Sequence, residues 1–437
     1  MTKLSWNKLL TTGRIGTNSD EDARNAFQRD FDRIIFSSAF KRLQSKTQVF
    51  PLPEADFIHT RMTHSLEAGC VGRSLGYLVW KKLNENAIDI GSSTWTDFEG
   101  AVSAACLCHD IGNPPFGHSG ETAIAEYFLK HRTDFMSLEG ITDDNFKDFL
   151  YFDGNAMGFN ILTHTLVNRS SRPGGMGLTA GVIAAFIKYP WFSSEAPLKK
   201  GKFSCFRNDE IYFKDAMTSC GLAEESKILR HPLSFLVEAS DDICYKIMDL
   251  EDAYRLGIIP FFQLEELFMS TIGTSSSPSN YRLIIDEKEK AAYLRAKTIS
   301  VLIDQLSDCF IENYNEIMDG TYSKALTSVI PCSDALSVIQ KIEIDKVYSF
   351  RKVIEIETAG FEVIHGLLEV FIDAILNNSH RSKKIRKLIP ASYMYSDDER
   401  IDRYMDILYI IRYIAGMTDK FAIETFRTMR GITLPSY

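Results

Sequence analysis

An all-α fold is predicted for this chain of 437 residues by three observations. Apolar residues recur at mixed spacings of three and four in one segment after another, as helices with one buried face require. The breaks between these segments carry proline and glycine, as at PLPEAD and IGNPP. Stretches that read as strand, SKTQVFP and YRLIIDE, are few and short.

The segments follow in order. EDARNAFQRDFDRIIFSSAFKRL places Phe27, Phe31, Ile34, Ile35 and Phe40 on one face, and PLPEAD ends it. THSLEAGCVGRSLGYLVWKKL and TDFEGAVSAACLCHD resume the helical period. FDGNAMGFNILTHTLVNRS predicts a helix from near Asn155, and LTAGVIAAFIKYPW one that ends at Pro190. HPLSFLVEASDDICYKIMDLEDAYRLG is a long helix with proline in its first turn. YLRAKTISVLIDQLSDCFIENYNEIM, FEVIHGLLEVFIDAILNNS and IDRYMDILYIIRYIAGMTDKFAIETFRTM complete the chain. WFSSEAPLKKGKFSCFRNDE reads as a mobile loop. IGTSSSPSNY separates an expected core, residues 1–271, from a C-terminal helical layer, residues 282–437.

Composition narrows the function. The chain is 45% hydrophobic and 24% charged, an ordinary globular balance. Its formal net charge of −9 disfavours general coating of nucleic acid, yet leaves room for a local basic pocket. Eight cysteines lie scattered without a CxxC pair, so a zinc ribbon is unsupported. No run of about 18 apolar residues predicts a membrane span. The first residues do not read as a secretory signal, so a reduced, cytoplasmic setting is expected.

The chemistry concentrates in LCHDIGNPPFGHSGE. Neighbouring residues on a helix point about 100° apart, so they seldom aim at one point. They can converge where a helix stops, and IGNPP stops this one straight after His109 and Asp110. An imidazole and a carboxylate suit a divalent transition ion. Two ligands hold an ion weakly, so more are expected. His64 lies just inside the first turn of its helix. Asp241 lies beside the small residues Ala239 and Ser240, which would let other helices approach. Spacing alone does not choose between Asp241 and Asp242, and a lone histidine at a helix start is usually a cap or a satisfied core residue.

The surroundings are more specific. FSSAFKRLQSKTQVFP, TRMTHSLEAG, CHDIGNPPFGHSGE, FDGNAMGF, IKYP, EASDDICYKIMDLEDA and YIAGMTDKFA together resemble the HD-domain phosphohydrolases. Within them the chain resembles the deoxynucleoside triphosphate triphosphohydrolases, the dGTPase family. The resemblance implies an HD-domain helical core, a divalent metal such as Mg²⁺, Mn²⁺ or another transition ion, and release of intact triphosphate from a deoxynucleoside triphosphate. It also implies a homo-oligomer, often a hexamer built from dimers. Carried over by position, the metal ligands fall on His64, His109, Asp110 and Asp241, and the catalytic pair on His118 and Glu121. That pair has its own physical reading. Three residues apart on a helix beginning after Pro115, the two share a face. A carboxylate there raises the imidazole's pKa and fixes its tautomer.

The resemblance also reaches the substrate. Lys188 matches a phosphate contact and Tyr189 follows it, while Arg61, Lys46 and Arg42 are further basic candidates. Gln48, Tyr245 and Asp249 are expected at the sugar, Tyr245 where a 2′-hydroxyl would sit. Asp241, Tyr245 and Asp249 recur every fourth residue along one helix. Asn155 and Glu357 match positions near the substrate, and Glu357 could accept hydrogen bonds from guanine. The rivals are another HD phosphohydrolase, such as a nucleotidase or cyclic-nucleotide phosphodiesterase, and a non-catalytic nucleotide sensor. The basic run HRSKKIRK leaves contact with single-stranded nucleic acid open.

Overall fold

Local capping chemistry sets many of the helix boundaries. Thr60 opens the helix Arg61–Glu85 through a capping box with Thr63, which satisfies backbone donors that a helix start leaves bare. Asp153 caps Gly154–Thr163 by accepting from the Asn155 amide. Pro232 occupies the first position of Pro232–Arg255, where its missing N–H goes unfelt. This computed structural model describes residues 4–16, 23–50, 58–164, 175–223, 227–273, 280–394 and 402–434. Its fold is all-α. Among the described residues strand pairing is confined to isolated bridges, one of them between Thr47 and Thr60 inside and just beyond the SKTQVFP region. The expected break at PLPEAD and most of IGTSSSPSNY lie outside the described residues.

Three boundaries differ from the periodicity. The first long segment is two helices, Ala26–Phe36 and Ser38–Arg42, because Ser37 is extended and its side chain caps the second. The segment expected to run to Pro190 ends as Ala180–Phe186, so Lys188 follows the helix instead of ending it. WFSSEAPLKKGKFSCFRNDE contains the short turns Ser193–Leu198 and Arg207–Asp209. It is tied down by Phe203 and Phe206, both fully buried, and by Trp191 Nε1 donating to the Lys202 carbonyl at 2.6 Å. Each buried phenylalanine contributes about 1.5–3 kcal/mol to holding it there.

Two apolar clusters make up the interior. The first spans Leu4 to Val353 and packs Arg61–Glu85 against Trp95–Cys108, Pro232–Arg255 and Glu287–Glu312. Arg61–Glu85 and Trp95–Cys108 approach so closely at Gly76 that a Cβ there would stand 2.8 Å from the Phe98 carbonyl oxygen. The second gathers Gly117–Lys130, Arg351–Leu376, Arg403–Ala415 and Asp419–Met429. IGNPPF is the chain's first passage from one cluster to the other, and the candidate site lies at that seam. The run HRSKKIRK forms the helix His380–Arg386. No described helix is long and apolar enough to cross a membrane.

Candidate active site

Three helices deliver the first group of side chains. His64 stands in the first turn of Arg61–Glu85, His109 caps the end of Trp95–Cys108, and Asp241 sits within Pro232–Arg255. His64, His109 and Asp241 each offer one ligand atom, and these atoms lie within 4.8 Å of one another. His64 Nε2 meets Asp241 Oδ1 at 2.9 Å, and His109 Nε2 lies 3.4 Å from the same oxygen. Asp242 points elsewhere and accepts from Thr327 Oγ1 at 2.7 Å.

Asp110 stands beside this group. Its Oδ1 accepts from Arg61 at 2.8 Å and from Asn113 Nδ2. Its Oδ2 lies 3.5 Å from His109 Nε2. Both Asp110 Oδ2 and His109 Nε2 are buried without a hydrogen-bond partner. A buried polar atom left bare costs about 1–3 kcal/mol, so two of them side by side mark a place made for another group. His109 Nδ1 faces the Cys106 carbonyl oxygen at 2.6 Å. Donation there puts the lone pair on Nε2, toward Asp241, as metal-binding imidazoles require. Burial would lower the His109 pKa, but Asp110 and Asp241 outweigh it and raise it above the usual histidine range. Burial would likewise raise Asp241, yet His109 and the hydrogen bond from His64 hold its carboxyl well below the carboxylate range. The point between them attracts positive charge, and this donor set fits a divalent ion.

A second pair opens the next helix. Phe116 adopts a left-handed conformation, φ +64°, immediately before Gly117–Lys130. Such a backbone costs a non-glycine residue about 1–2 kcal/mol. Asp419 holds it there, accepting from the Phe116 amide at 3.1 Å and from the Thr47 amide at 2.8 Å. Two residues on, His118 Nδ1 meets Glu121 Oε2 at 2.8 Å. The other Glu121 oxygen accepts from the Gly154 amide at 2.7 Å. Glu121 raises the His118 pKa through their hydrogen bond and its charge. Burial would raise Glu121 in turn, but His118 and Lys202 bring it below its usual value. The His118 side chain is 81% exposed, so the ring reaches solvent within the cleft while its carboxylate partner is locked.

His109, Asp241 and the His118–Glu121 pair face one cavity of about 340 Å³. Gln48, Asn155, Tyr189 and Glu357 line it, together with His109, Asp110, His118, Glu121, Lys188, Asp241 and Tyr245. His64 lies behind Asp241, only 1% exposed. Asp249 is not on the cavity wall. It is buried and accepts from Tyr348 Oη at 3.2 Å, and Tyr348, tilted against Tyr245 at 6.1 Å, forms the wall in its place. Of the basic candidates, Arg61 and Lys188 reach the cavity. Lys188 is paired with Glu238 at 3.1 Å. Lys46 bonds the Asn113 and Ala415 carbonyl oxygens, and Arg42 bonds Tyr393 Oη and the Gly416 carbonyl oxygen.

The structure adds residues that sequence reasoning missed. Lys202 enters from the 191–210 loop, 3.7 Å from Glu121 and 3.3 Å from Asp153. KKGK marked it as basic, but a charge run gives no direction. Asn113 and Phe116 sit inside the motif already singled out, and Asp419 inside YIAGMTDKFA. Tyr348 has no signal in its local sequence.

No family model matches the chain. A deoxyguanosinetriphosphate triphosphohydrolase-like protein of Synechocystis sp. (strain ATCC 27184 / PCC 6803 / Kazusa) is 36% identical over 99% of this chain and 100% of its own length. A protein of the same name from Pseudomonas aeruginosa (strain LESB58) is 35% identical over 99% and 100%. Another, from Listeria innocua serovar 6a (strain ATCC BAA-680 / CLIP 11262), is 31% identical over 98% and 100%.

Proposed function

The chain belongs to the deoxyguanosinetriphosphate triphosphohydrolase-like family, and from that membership we propose that it hydrolyses a deoxynucleoside triphosphate, dGTP by preference, to the deoxynucleoside and inorganic triphosphate. One observation carries the reading: His109 and Asp241, with His64 behind them, and the His118–Glu121 pair open onto the same cavity.

His64, His109, Asp110 and Asp241 would hold a divalent ion, Mg²⁺, Mn²⁺ or another transition ion. When bound, such an ion supplies Lewis acidity at a phosphate oxygen and lowers the pKa of a water molecule. The protein's own groups do the rest. Arg61, Lys188 and Lys202 line the cavity and offset the charge of the triphosphate. Water adds at the α-phosphorus and the bond to the 5′-oxygen breaks. His118 gives its proton to that departing oxygen, and Glu121, anchored by Gly154, fixes the ring and the tautomer. Tyr245 and Tyr348 wall the sugar end, with Asp249 holding the Tyr348 hydroxyl in place. Gln48 Oε1, buried without a partner, is free to accept from a sugar hydroxyl. Glu357 offers acceptors to guanine N1–H and its amino group, a pattern that adenine does not present. A homo-oligomer is part of the same proposal.

The test incubates the purified protein with each of the four deoxynucleoside triphosphates and with Mg²⁺ or Mn²⁺, and resolves products by anion exchange. Triphosphate and deoxynucleoside in equal amounts are expected, fastest with dGTP. Orthophosphate as the product, or no turnover with any metal, overturns the proposal.

A further inference from the structure

A second cavity of about 340 Å³ lies back to back with the first. The two share a partition. Residues 42–48 turn Thr47 and Gln48 to the catalytic cavity and Arg42 and Lys46 to the other. The loop after His109 turns Asp110 and Asn113 one way and Ile111 the other.

The second cavity is basic. Arg42, Lys46 and Arg412 line it, and no carboxylate does so among the described residues. The hydrogen-bond partners of these cations are neutral. Arg42 donates to Tyr393 Oη and the Gly416 carbonyl oxygen at 3.2 Å each, and to Ser38 Oγ at 3.4 Å. Lys46 donates to the Asn113 and Ala415 carbonyl oxygens at 2.5 and 2.6 Å. Arg412 donates to Asn160 Oδ1 at 2.9 Å and the His164 carbonyl oxygen at 2.8 Å, while its Nε has no partner. Lys46 and Arg412 are 3% and 4% exposed, so water does little for their charge.

Three carboxylates act on these cations through space, Asp419 and Asp110 on Lys46 and Asp209 on Arg412. Burial lowers the Lys46 pKa to about 7 against the pull of Asp419 and Asp110, so an anion beside it would restore its charge. Asp419 is occupied by the Thr47 and Phe116 amides, and Asp110 by Arg61 and Asn113 Nδ2. Asp209 accepts from Asn160 Nδ2 at 2.8 Å, and burial pushes its carboxyl up to about 8, which weakens its hold on Arg412. Buried cations held only by neutral dipoles retain most of their desolvation cost, and an anion offsets it. Guanidinium groups match phosphate oxygens in geometry as well as charge. Ser37, Ser38, Ser392 and Tyr393, all hydroxyl-bearing, line the same space.

We propose that the cavity between Arg42, Lys46 and Arg412 is a second anion site, built for a phosphate-bearing ligand and separated from the catalytic cavity by a wall one segment thick. This does not rest on the catalytic reading, because binding alone tests it.

Calorimetric titration of the whole protein with inorganic phosphate, inorganic triphosphate and ribose 5-phosphate compares the free anion, the polyanion and the organic ester. Ser38, exposed at a helix start, lines the cavity, so Ser38→Glu puts a carboxylate on its wall, with circular dichroism as the check on the fold. Arg42→Gln removes one cation, and Arg42→Lys keeps its charge. In the wild type at least one of the three ligands should fill a class of sites that Ser38→Glu abolishes. Arg42→Gln should weaken that class by about tenfold or more, and Arg42→Lys should restore part of the loss. The tightest of the three ligands identifies the source of the phosphate. No saturable binding below roughly 10 mM for any of them, or binding unchanged in Ser38→Glu, overturns the site.

Discussion

Gly112→Ala should take the active site apart without unfolding the chain. Gly112 is not among the glycines with positive φ, so its backbone conformation is open to alanine. Its neighbours are the obstacle. A Cβ there would lie 2.1 Å from the Gly154 carbonyl oxygen, 2.1 Å from the Gly158 nitrogen and 2.6 Å from Gly158 Cα. All three are backbone atoms, so no side chain can rotate aside. Restoring an ordinary contact of 3.4 Å moves one backbone against the other by about 1.3 Å. Asp110 and Asn113 ride on one side of that contact. On the other rides the Gly154 amide that anchors Glu121. Overpacking of this kind costs about 1–3 kcal/mol, while a misplacement of about 1 Å at reacting groups costs roughly 100-fold in rate. The assay pairs urea unfolding followed by circular dichroism with initial rates of triphosphate release. Expected are a folded variant with a modestly lowered midpoint and a turnover down by about two orders of magnitude. Turnover within about threefold of wild type, with an unmoved midpoint, would refute the claim that this contact sets the site.

His109→Ala should lose bound metal, read as ions per chain by inductively coupled plasma analysis; an unchanged stoichiometry would remove His109 from the ligand set. His118→Ala should keep the metal and lose about 10²–10⁴ of turnover. Glu121 holds His118 protonated above the usual histidine range, so turnover should fall as pH rises through that raised pKa, and Glu121→Gln should move the falling limb to lower pH; a limb that stays put would separate Glu121 from the proton transfer. Tyr245→Ala should narrow the proposed preference for dGTP over GTP, and equal discrimination in the two proteins would acquit Tyr245 of sensing the sugar. A stability prediction rests on His59, which contacts Asp252 at 2.9 Å and Glu67 at 3.3 Å. Burial would lower its pKa, but these carboxylates raise it from 6.5 to about 10. The contribution is therefore full below pH 6.5 and is lost as pH rises through about 10. Wild type should lose a few kcal/mol more than His59→Gln across that window in urea melts, and parallel curves would disprove the linkage.

The parts of the site that were legible are those whose signal is local. His109, Asp110, His118 and Glu121 fall within thirteen residues, around a break that only a few backbone conformations can cross. Asp241 and Asp242 were not separable, because adjacent helical positions differ by about 100° and either could have faced the histidines; the Thr327 hydroxyl, far along the chain, takes Asp242. Asp249 shows the limit of a repeat of four. Eight residues at about 100° each leave it about 80° around the helix from Asp241, and so it turns beneath Tyr348 and away from the cavity. Lys188 matches a phosphate contact by position, and the anion it meets here is Glu238, a pairing between two segments that nothing in either announces. Gly112 carries the same lesson. Its residue type suggested a helix terminator, but its φ would suit many side chains. It is glycine because another helix's backbone passes 2.1 Å from where a Cβ would stand, and a reason of that kind lies in the partner and not in the segment.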